Sequence, residues 1–401
     1  MRSSIFTICI LSLFSCPLIK AQQIRGNVID KDTKEPVAFA NVFFSGTLIG
    51  TTTDLDGNFS FIIPNEGKYE LIVSYVGYEK YSRPILSTDE LSFLQIELKP
   101  EIIKLRDIHV NADTSEWKNN YPVFRRLFLG ETANAAKVEI SNPKDIFLFY
   151  DAVENGFFAH SRNEISIENY ALGYRLGYTM QEFRMEYQSQ RFYSFGIPRF
   201  EMMVSKRKGQ IRKWEKARVR AYRGSFSHFL RSFKENTFLE EGFIVQELFR
   251  VPNRKRPPEN LIKEKLLSFS VRDTITNRIV LRDMSGSDSL QYWIRMKRMP
   301  MVVDSLGKVL KDNSLIIDGF FMYTGYLKIT YTKEQEEFNY SRYRRRGRTD
   351  SKQTSVVNFI EPITIYDNGY YDVQKVFFEG YMGWSSKIAE MLPIEYIPES
   401  E

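Results

Sequence analysis

The sequence predicts a mostly β protein whose second part is α+β. Apolar residues alternate at period two between turn signals over residues 24–98, which is the pattern of half-buried strands. Further extended runs recur through the rest of the chain, and one amphipathic helical pattern interrupts them over residues 209–233. We therefore expect an N-terminal seven-stranded β-sandwich, followed by a β-rich α+β domain with one long amphipathic helix.

The first residues have the features of an export signal. Arg2 precedes an apolar run over residues 5–14, and Ala21 supplies the small residue of a cleavage site. About ten apolar residues are too few to cross a bilayer as a helix. We expect residues 1–21 to be removed as a signal peptide, with the chain exported to the periplasm or outer membrane. The alternative is a lipoprotein, because residues 13–16 form a loose lipobox ending at Cys16.

Size, cysteine content and charge limit the folds and functions that are open to the rest of the chain. A chain of 401 residues is too long for one ordinary core, and two or three domains are expected. Both cysteines, Cys9 and Cys16, lie in the leader, so cleavage at Ala21 leaves no disulfide or thiolate chemistry. The formal charge of +6 becomes +4 because Arg2 and Lys20 leave with it. That mild charge is concentrated in short basic runs.

Strands of the first domain are bounded by turn chemistry. Residues 59–63 and 69–75 alternate on either side of a turn at 65–67, and residues 94–98 repeat the pattern. Asp54, Asp56 and Asn58 imitate the start of a calcium loop, but Asn65 stands where a bidentate glutamate is required. We interpret Asp54, Asp56 and Gly57 as a structural turn, in which glycine supplies a positive φ.

The order of these motifs resembles a known family. Ile24-Arg25-Gly26-Asn27-Val28, followed by Thr53-Asp54-Leu55-Asp56-Gly57-Asn58-Phe59, is similar to the carboxypeptidase-like regulatory domain, a transthyretin-like β-sandwich found in exported and TonB-dependent receptor proteins of Bacteroidota. The resemblance implies a non-catalytic module over residues 22–99. Residues 167–178 also resemble stretches of uncharacterised Bacteroidota proteins that carry this module, and that likeness names no activity.

Beyond the sandwich, Pro100 opens a linker over residues 100–117, and residues 118–401 form the β-rich α+β domain, with a sub-boundary near 252–260. Residues 123–129 are helix-compatible, residues 334–354 are expected to form a mobile loop, and a short terminal helix is expected over 384–392. The strand-like runs are 146–150, 165–167, 174–187, 192–204, 268–271, 278–281, 290–296, 315–321, 326–331, 356–360, 363–366 and 373–378.

Basic residues suggest an interaction surface. Arg220, Arg223 and Arg231 lie on the long helix, and Arg344, Arg345 and Arg346 lie in the polar loop. A basic amphipathic helix either covers a sheet or lies on a membrane surface, and both readings stay open. The expected partner is a protein or glycan of the cell envelope, with membrane-surface contact as a further option and with no nucleic acid, because the chain is exported.

The sequence contains no catalytic, metal-binding or cofactor-binding pattern. His109, His160 and His228 lack the spacing of a zinc site, and there is neither a Gly-x-Ser-x-Gly elbow nor a phosphate-binding glycine loop. We therefore predict a non-enzymatic, exported envelope protein without cofactors that binds or scaffolds a protein or glycan partner. One alternative is an envelope hydrolase of peptide or glycan that uses acidic residues. Another is an outer-membrane-surface or TonB-linked component.

Overall fold

The computed structural model describes residues 22–64, 66–89, 93–101, 114–272, 279–281, 288–343 and 351–399. The predicted leader with Cys16, most of the predicted linker, and Arg344, Arg345 and Arg346 lie outside these residues. Within them, strands predominate and build several sheets, accompanied by seven α-helices. The predicted mostly β, α+β fold class is confirmed.

The N-terminal part is a sandwich of two small sheets. Its strands are β1 (Gln22–Asp30), β2 (Asn41–Phe44), β3 (Gly50–Thr52), β4 (Asn58–Ile63), β5 (Lys68–Ser74), β6 (Tyr81–Leu86) and β7 (Phe93–Leu98). One sheet has the order β4-β1-β7, with β1 parallel to β7, and the other has the order β3-β2-β5-β6. Alternate residues such as Ile24, Val28 and Phe59 point into a common core, so the period-two pattern is what closes the sandwich.

A six-stranded sheet follows. Its elements are α1 (Thr114–Leu129), β8 (Val138–Ile140), β9 (Ile146–Asp151), β10 (Gly156–Ser161), β11 (Ile165–Asn169), β12 (Tyr174–Glu186) and β13 (Arg191–Met202). The strand order is β8-β11-β12-β10-β9, and β13 pairs with β12. Helix α1 covers one face because Phe124 and Phe128 are fully buried and contact Phe183 and Tyr178, with ring centroids 4.9 and 5.2 Å apart respectively.

The predicted long amphipathic helix is two helices. These are α2 (Lys208–Tyr222) and α3 (Phe226–Lys234). Gly224 separates them with a φ of +73°, a left-handed conformation that cannot continue a helix. A side chain at Gly224 would meet Gln353 and Tyr331, so tertiary packing fixes the break. The Ser225 hydroxyl then caps α3 by accepting from the His228 N–H.

The C-terminal part is built on a five-stranded sheet. Its elements are β14 (Phe243–Pro252), α4 (Glu259–Ser268), β15 (Ser270–Arg272), β16 (Ile279–Leu281), α5 (Asp288–Arg298), β17 (Val302–Val309), β18 (Ile316–Ile317), β19 (Phe320–Phe321), β20 (Gly325–Gln335), α6 (Phe338–Tyr343), β21 (Lys352–Phe359), β22 (Ile363–Thr364), β23 (Val376–Gly380) and α7 (Tyr381–Ser385). The order is β17-β14-β20-β21-β23. Helix α3 covers this sheet through Phe229 and Phe233, which share a core with Phe243.

Three local predictions in this part were wrong. Residues 290–296 lie in helix α5, which packs on helix α4. The predicted mobile loop contains α6, which is held by Tyr340 packing on Tyr381 and Trp384. The predicted terminal helix is replaced by α7 and a 3₁₀ turn, Ile388–Glu390.

The sandwich docks on the rest of the chain. Phe43 and Ile72 of the sandwich are buried against Ile197 of β13. The loop after β2 exchanges backbone hydrogen bonds of 2.8 Å with two segments: the Gly46 N–H donates to the Pro198 carbonyl, and its carbonyl accepts from the Ile394 N–H. The C-terminal segment, residues 393–399, therefore lies between the sandwich and helix α3, whose Arg231 donates to its carbonyls.

Candidate functional site

A groove of about 990 Å³ runs between helix α2 and the edge of the six-stranded sheet. One wall is α2, the other is formed by residues around β8 and β11, and the loop after β13 closes one end. The lining residues are Asn134, Lys137, Ser141, Glu168, Tyr170, Ala171, Arg175, Met203, Val204, Ser205, Gln210, Lys213, Trp214, Lys216, Ala217 and Arg220.

The groove is strongly basic. Its lining contains five cationic side chains, namely Lys137, Arg175, Lys213, Lys216 and Arg220, and one carboxylate, Glu168. Arg175 pairs with Glu168 at 3.2 Å, and the other four cations make no ion pair with any residue that the structure describes. The positive charge is therefore open to an anionic ligand.

Helix α2 is fixed by two buried residues on its inner face. Trp214 donates its indole N–H to the Tyr170 carbonyl at 2.9 Å and packs on Gly173, where a Cβ would lie 2.4 Å from the indole ring. Arg218 is buried, donates to the Leu172 carbonyl at 2.7 Å, and lies 4.2 Å from the centre of the Tyr174 ring. Because the helix is held from within, its basic residues are left to line the groove.

The opposite wall depends on two partly buried carboxylates. The Glu390 carboxylate accepts from the Thr132 hydroxyl and, at 2.9 Å, from the Asn134 amide, and Glu337 accepts from the Ala133 N–H at 3.0 Å. Burial, together with the nearby Glu337 charge, raises the pKa of Glu390 to about 7. Asn134 lines the groove and Glu390 does not, so this carboxylate supports the wall from behind.

The predicted arginine surface separates into three environments. Arg220 lines the groove. Arg223 is exposed at the end of α2 and acts on Glu334 electrostatically. Arg231 is buried, which contradicts its place on an exposed surface: it donates to the carbonyls of Ile394, Tyr396 and Asn368. Its guanidinium satisfies backbone acceptors of the C-terminal segment and is a structural residue.

The predicted turn residues form a tight connection between β3 and β4. The Asp54 carboxylate accepts from the N–H groups of Asp56 and Asn58 at 3.0 and 2.8 Å. Gly57 has a φ of +76°, and a Cβ there would lie 2.5 Å from the Val28 carbonyl oxygen. The carboxylate is thus used inside the loop, and a glycine is required at position 57.

His228 and the two carboxyl groups Glu334 and Glu390 do not line the groove. His228 is buried, accepts from the Gly224 N–H at 3.1 Å, and has its pKa lowered to about 4 by desolvation. Burial raises the pKa of Glu334, but neither Glu334 nor Glu390 lines the groove. No group of three or more potential metal ligands occurs among the described residues. His109 lies outside those residues.

Sequence reasoning missed most of the wall opposite α2. Lys137 ends a 3₁₀ turn, Tyr170 lies in the turn after β11 and Arg175 lies in β12, and no local pattern links them to residues 213–220. The antiparallel pairing of β11 with both β8 and β12 brings them together. The basic periodicity of α2 was the one signal that the sequence offered.

Comparison with known proteins identifies the N-terminal module. Residues 24–110 match the family model of the CarboxypepD_reg-like domain. The chain is 46% identical over 66 residues to the TonB-dependent receptor SusC of Bacteroides thetaiotaomicron and 33% identical over 103 residues to the TonB-dependent receptor P39 of Formosa agariphila. These matches cover 16% and 25% of this chain but 6% and 9% of those receptors. The predicted resemblance is confirmed for this module.

Solved structures give weaker likenesses. A DUF3823 family protein from Bacteroides ovatus aligns over 46% of this chain and 82% of its own, with 12% identity and a TM-score of 0.16. A protein of unknown function from Bacteroides fragilis aligns over 90% of this chain and 93% of its own, with 9% identity and a TM-score of 0.17. Among the residues that the structure describes, every helix is too short or too polar to span a bilayer.

Proposed function

We propose that this chain is a non-catalytic protein of the bacterial cell envelope that binds an anionic protein or glycan partner in the basic groove. In this proposal the CarboxypepD_reg-like module packs against the α+β part and supports it, and the α+β part presents the binding surface. The observation that carries the proposal is the charge of the groove: four lysine or arginine side chains line it without an ion-pair partner among the described residues. Such a surface favours polyanions and increases their rate of association.

The envelope location is supported by two features. The N-terminal 21 residues have the pattern of an export signal, and the adjacent module is shared with two proteins named as TonB-dependent receptors. A TonB-linked role would require contacts outside the groove, and the proposed binding in the groove does not depend on such a role.

The positions of the acidic groups favour binding over hydrolysis as the function of the groove. The groove contains one carboxylate, and that carboxylate is paired with Arg175. A pair of opposed carboxyl groups, as glycoside hydrolysis requires, does not line the groove. Lys213, Lys216 and Arg220 recur every three or four residues on α2, which places them in a row about 10 Å long. A row of cations suits an extended polyanion.

The test measures binding of two soluble polyanions, poly-L-glutamate and polygalacturonate, at an ionic strength of about 0.15 M. We expect the protein to bind at least one of them, and the triple variant K213Q/K216Q/R220Q to bind about tenfold more weakly, since each exposed ion pair contributes up to about 1 kcal/mol. The matched control is R254Q/K255Q, which neutralises an exposed basic pair on a different loop.

Equal binding by the triple variant and the control would contradict the groove as the binding site. Failure of the wild-type protein to bind either polyanion would contradict the proposed function itself. Thermal melting of each variant distinguishes lost binding from lost folding.

A further inference from the structure

The end of the groove carries an exposed basic surface, which we call the basic tip and define as residues 202–213. It comprises the last residue of β13, the loop that follows, and the first turns of α2. Five cationic residues lie in it, namely Lys206, Arg207, Lys208, Arg212 and Lys213, and the sequence between Glu201 and Glu215 contains no acid. All five are exposed, and none forms an ion pair within the described part of the chain.

Apolar side chains stand out among these charges. Val204 is 94% exposed, Met202 is 53% exposed and Ile211 is 39% exposed. They are not loose ends of a frayed segment, because the base of the tip is anchored: the Met203 N–H donates to the Gly173 carbonyl at 3.0 Å, and the Met203 side chain is buried. The fold therefore holds three apolar side chains in solvent at a fixed place.

We propose that the basic tip docks on an anionic lipid surface. Apolar side chains surrounded by lysine and arginine match the two layers of such a surface, because the cations meet the lipid phosphates while the apolar groups enter the boundary below them. A soluble polyanion would engage the cations and leave Val204 without a role. Charge complementarity and the exposed apolar residues together select a lipid surface over a soluble partner.

A second exposed valine, Val153, lies in acidic rather than basic surroundings. Val153 is 96% exposed, as fully as Val204, but it lies in the β9–β10 turn between Asp151 and Glu154. Acidic neighbours would be repelled by an anionic surface, so this second exposed valine is not expected to contact lipid. What distinguishes the basic tip is thus the combination of charge and apolar exposure.

The experiment is flotation of the purified protein with vesicles of phosphatidylcholine alone or mixed with phosphatidylglycerol. We expect flotation with the mixed vesicles alone, weakening as salt is raised. Neutralising three tip cations in K206Q/R207Q/K208Q is expected to lower the partition coefficient at least about tenfold, from a contribution of about 1 kcal/mol for each cation. V204D should lower it as well, whereas V153D should leave it unchanged.

The outcomes separate this proposal from the one on the groove. No flotation of wild type with phosphatidylglycerol, or equal loss in V204D and V153D, would overturn docking through the tip. Loss of flotation in K216Q/R220Q, with K206Q/R207Q/K208Q behaving as wild type, would instead assign lipid binding to the groove. Because Val204 and the tip lysines are exposed, their variants are expected to melt at the wild-type temperature, which is measured in parallel.

Discussion

Replacing Glu390 by glutamine should make the protein more stable at high pH and change its stability little at low pH. The carboxyl group is only partly exposed and its pKa rises from 4.5 to about 7 in the fold. A carboxyl group with a raised pKa favours the folded state while it is protonated. Its cost is therefore absent below about pH 4.5, appears as the pH rises, and is complete above about pH 7.

The magnitude follows from the pKa. A change from 4.5 to about 7 corresponds to about 3 kcal/mol, since each unit is worth 1.36 kcal/mol. Because Glu390 retains some contact with solvent, we expect about 1–2 kcal/mol. Glutamine keeps an oxygen to accept from Asn134, and its amide can donate to the Thr132 hydroxyl, so both contacts survive without the charge.

The assay is thermal melting of wild type and E390Q at pH 5 and pH 8. The variant should gain about 2–4 °C more at pH 8 than at pH 5. Other titrating groups act equally on both proteins and cancel in this comparison. The control is E264Q, because the Glu264 side chain is 73% exposed and should show no such difference. A gain that is equal at the two pH values, or a loss at pH 8, would refute the assignment of Glu390 as a destabilising buried carboxylate.

Two further substitutions test the packing. R231L removes the donor to three carbonyls of the C-terminal part, so the free energy of unfolding, read by urea titration, should fall by about 2–4 kcal/mol. Exchange of the Ile394 amide, which donates to the Gly46 carbonyl, should accelerate in hydrogen-exchange mass spectrometry, and unchanged exchange there would show that Arg231 does not hold the interface. G224A should lower the free energy of unfolding by about 2 kcal/mol or more, because of backbone strain and overlap with Gln353. The control G319A has a similar positive φ but open space around it, and should lower it by about 1 kcal/mol. Equal losses in urea titrations would contradict a packing role for the α2–α3 break.

Local sequence patterns were sufficient to predict the strands of the N-terminal sandwich. Its strands carry their own period-two alternation, and turns such as Asp54 to Gly57 specify where the chain reverses, so neighbours in sequence determine most of the structure. The helix α5 was misassigned because a short apolar run does not distinguish a strand from a helix without knowledge of what covers it. The continuous apolar periodicity of residues 209–233 likewise concealed the break at Gly224, which depends on Gln353 and Tyr331 from distant strands.

By itself, the sequence determined the β-rich class, the identity of the N-terminal module, the basic face of α2 and the lack of a recognisable catalytic motif, because each of these is encoded by residues near one another in the chain. The tertiary structure decided which arginines are available: Arg220 faces a groove, and Arg231 is buried under the C-terminal segment. It also assembled the groove: Lys137 and Lys216 are far apart in sequence and line the same groove because β8 pairs with β11 and α2 packs on the turn after β11 through Trp214. Exposure depends on what packs against a side chain, and a linear pattern does not contain that information.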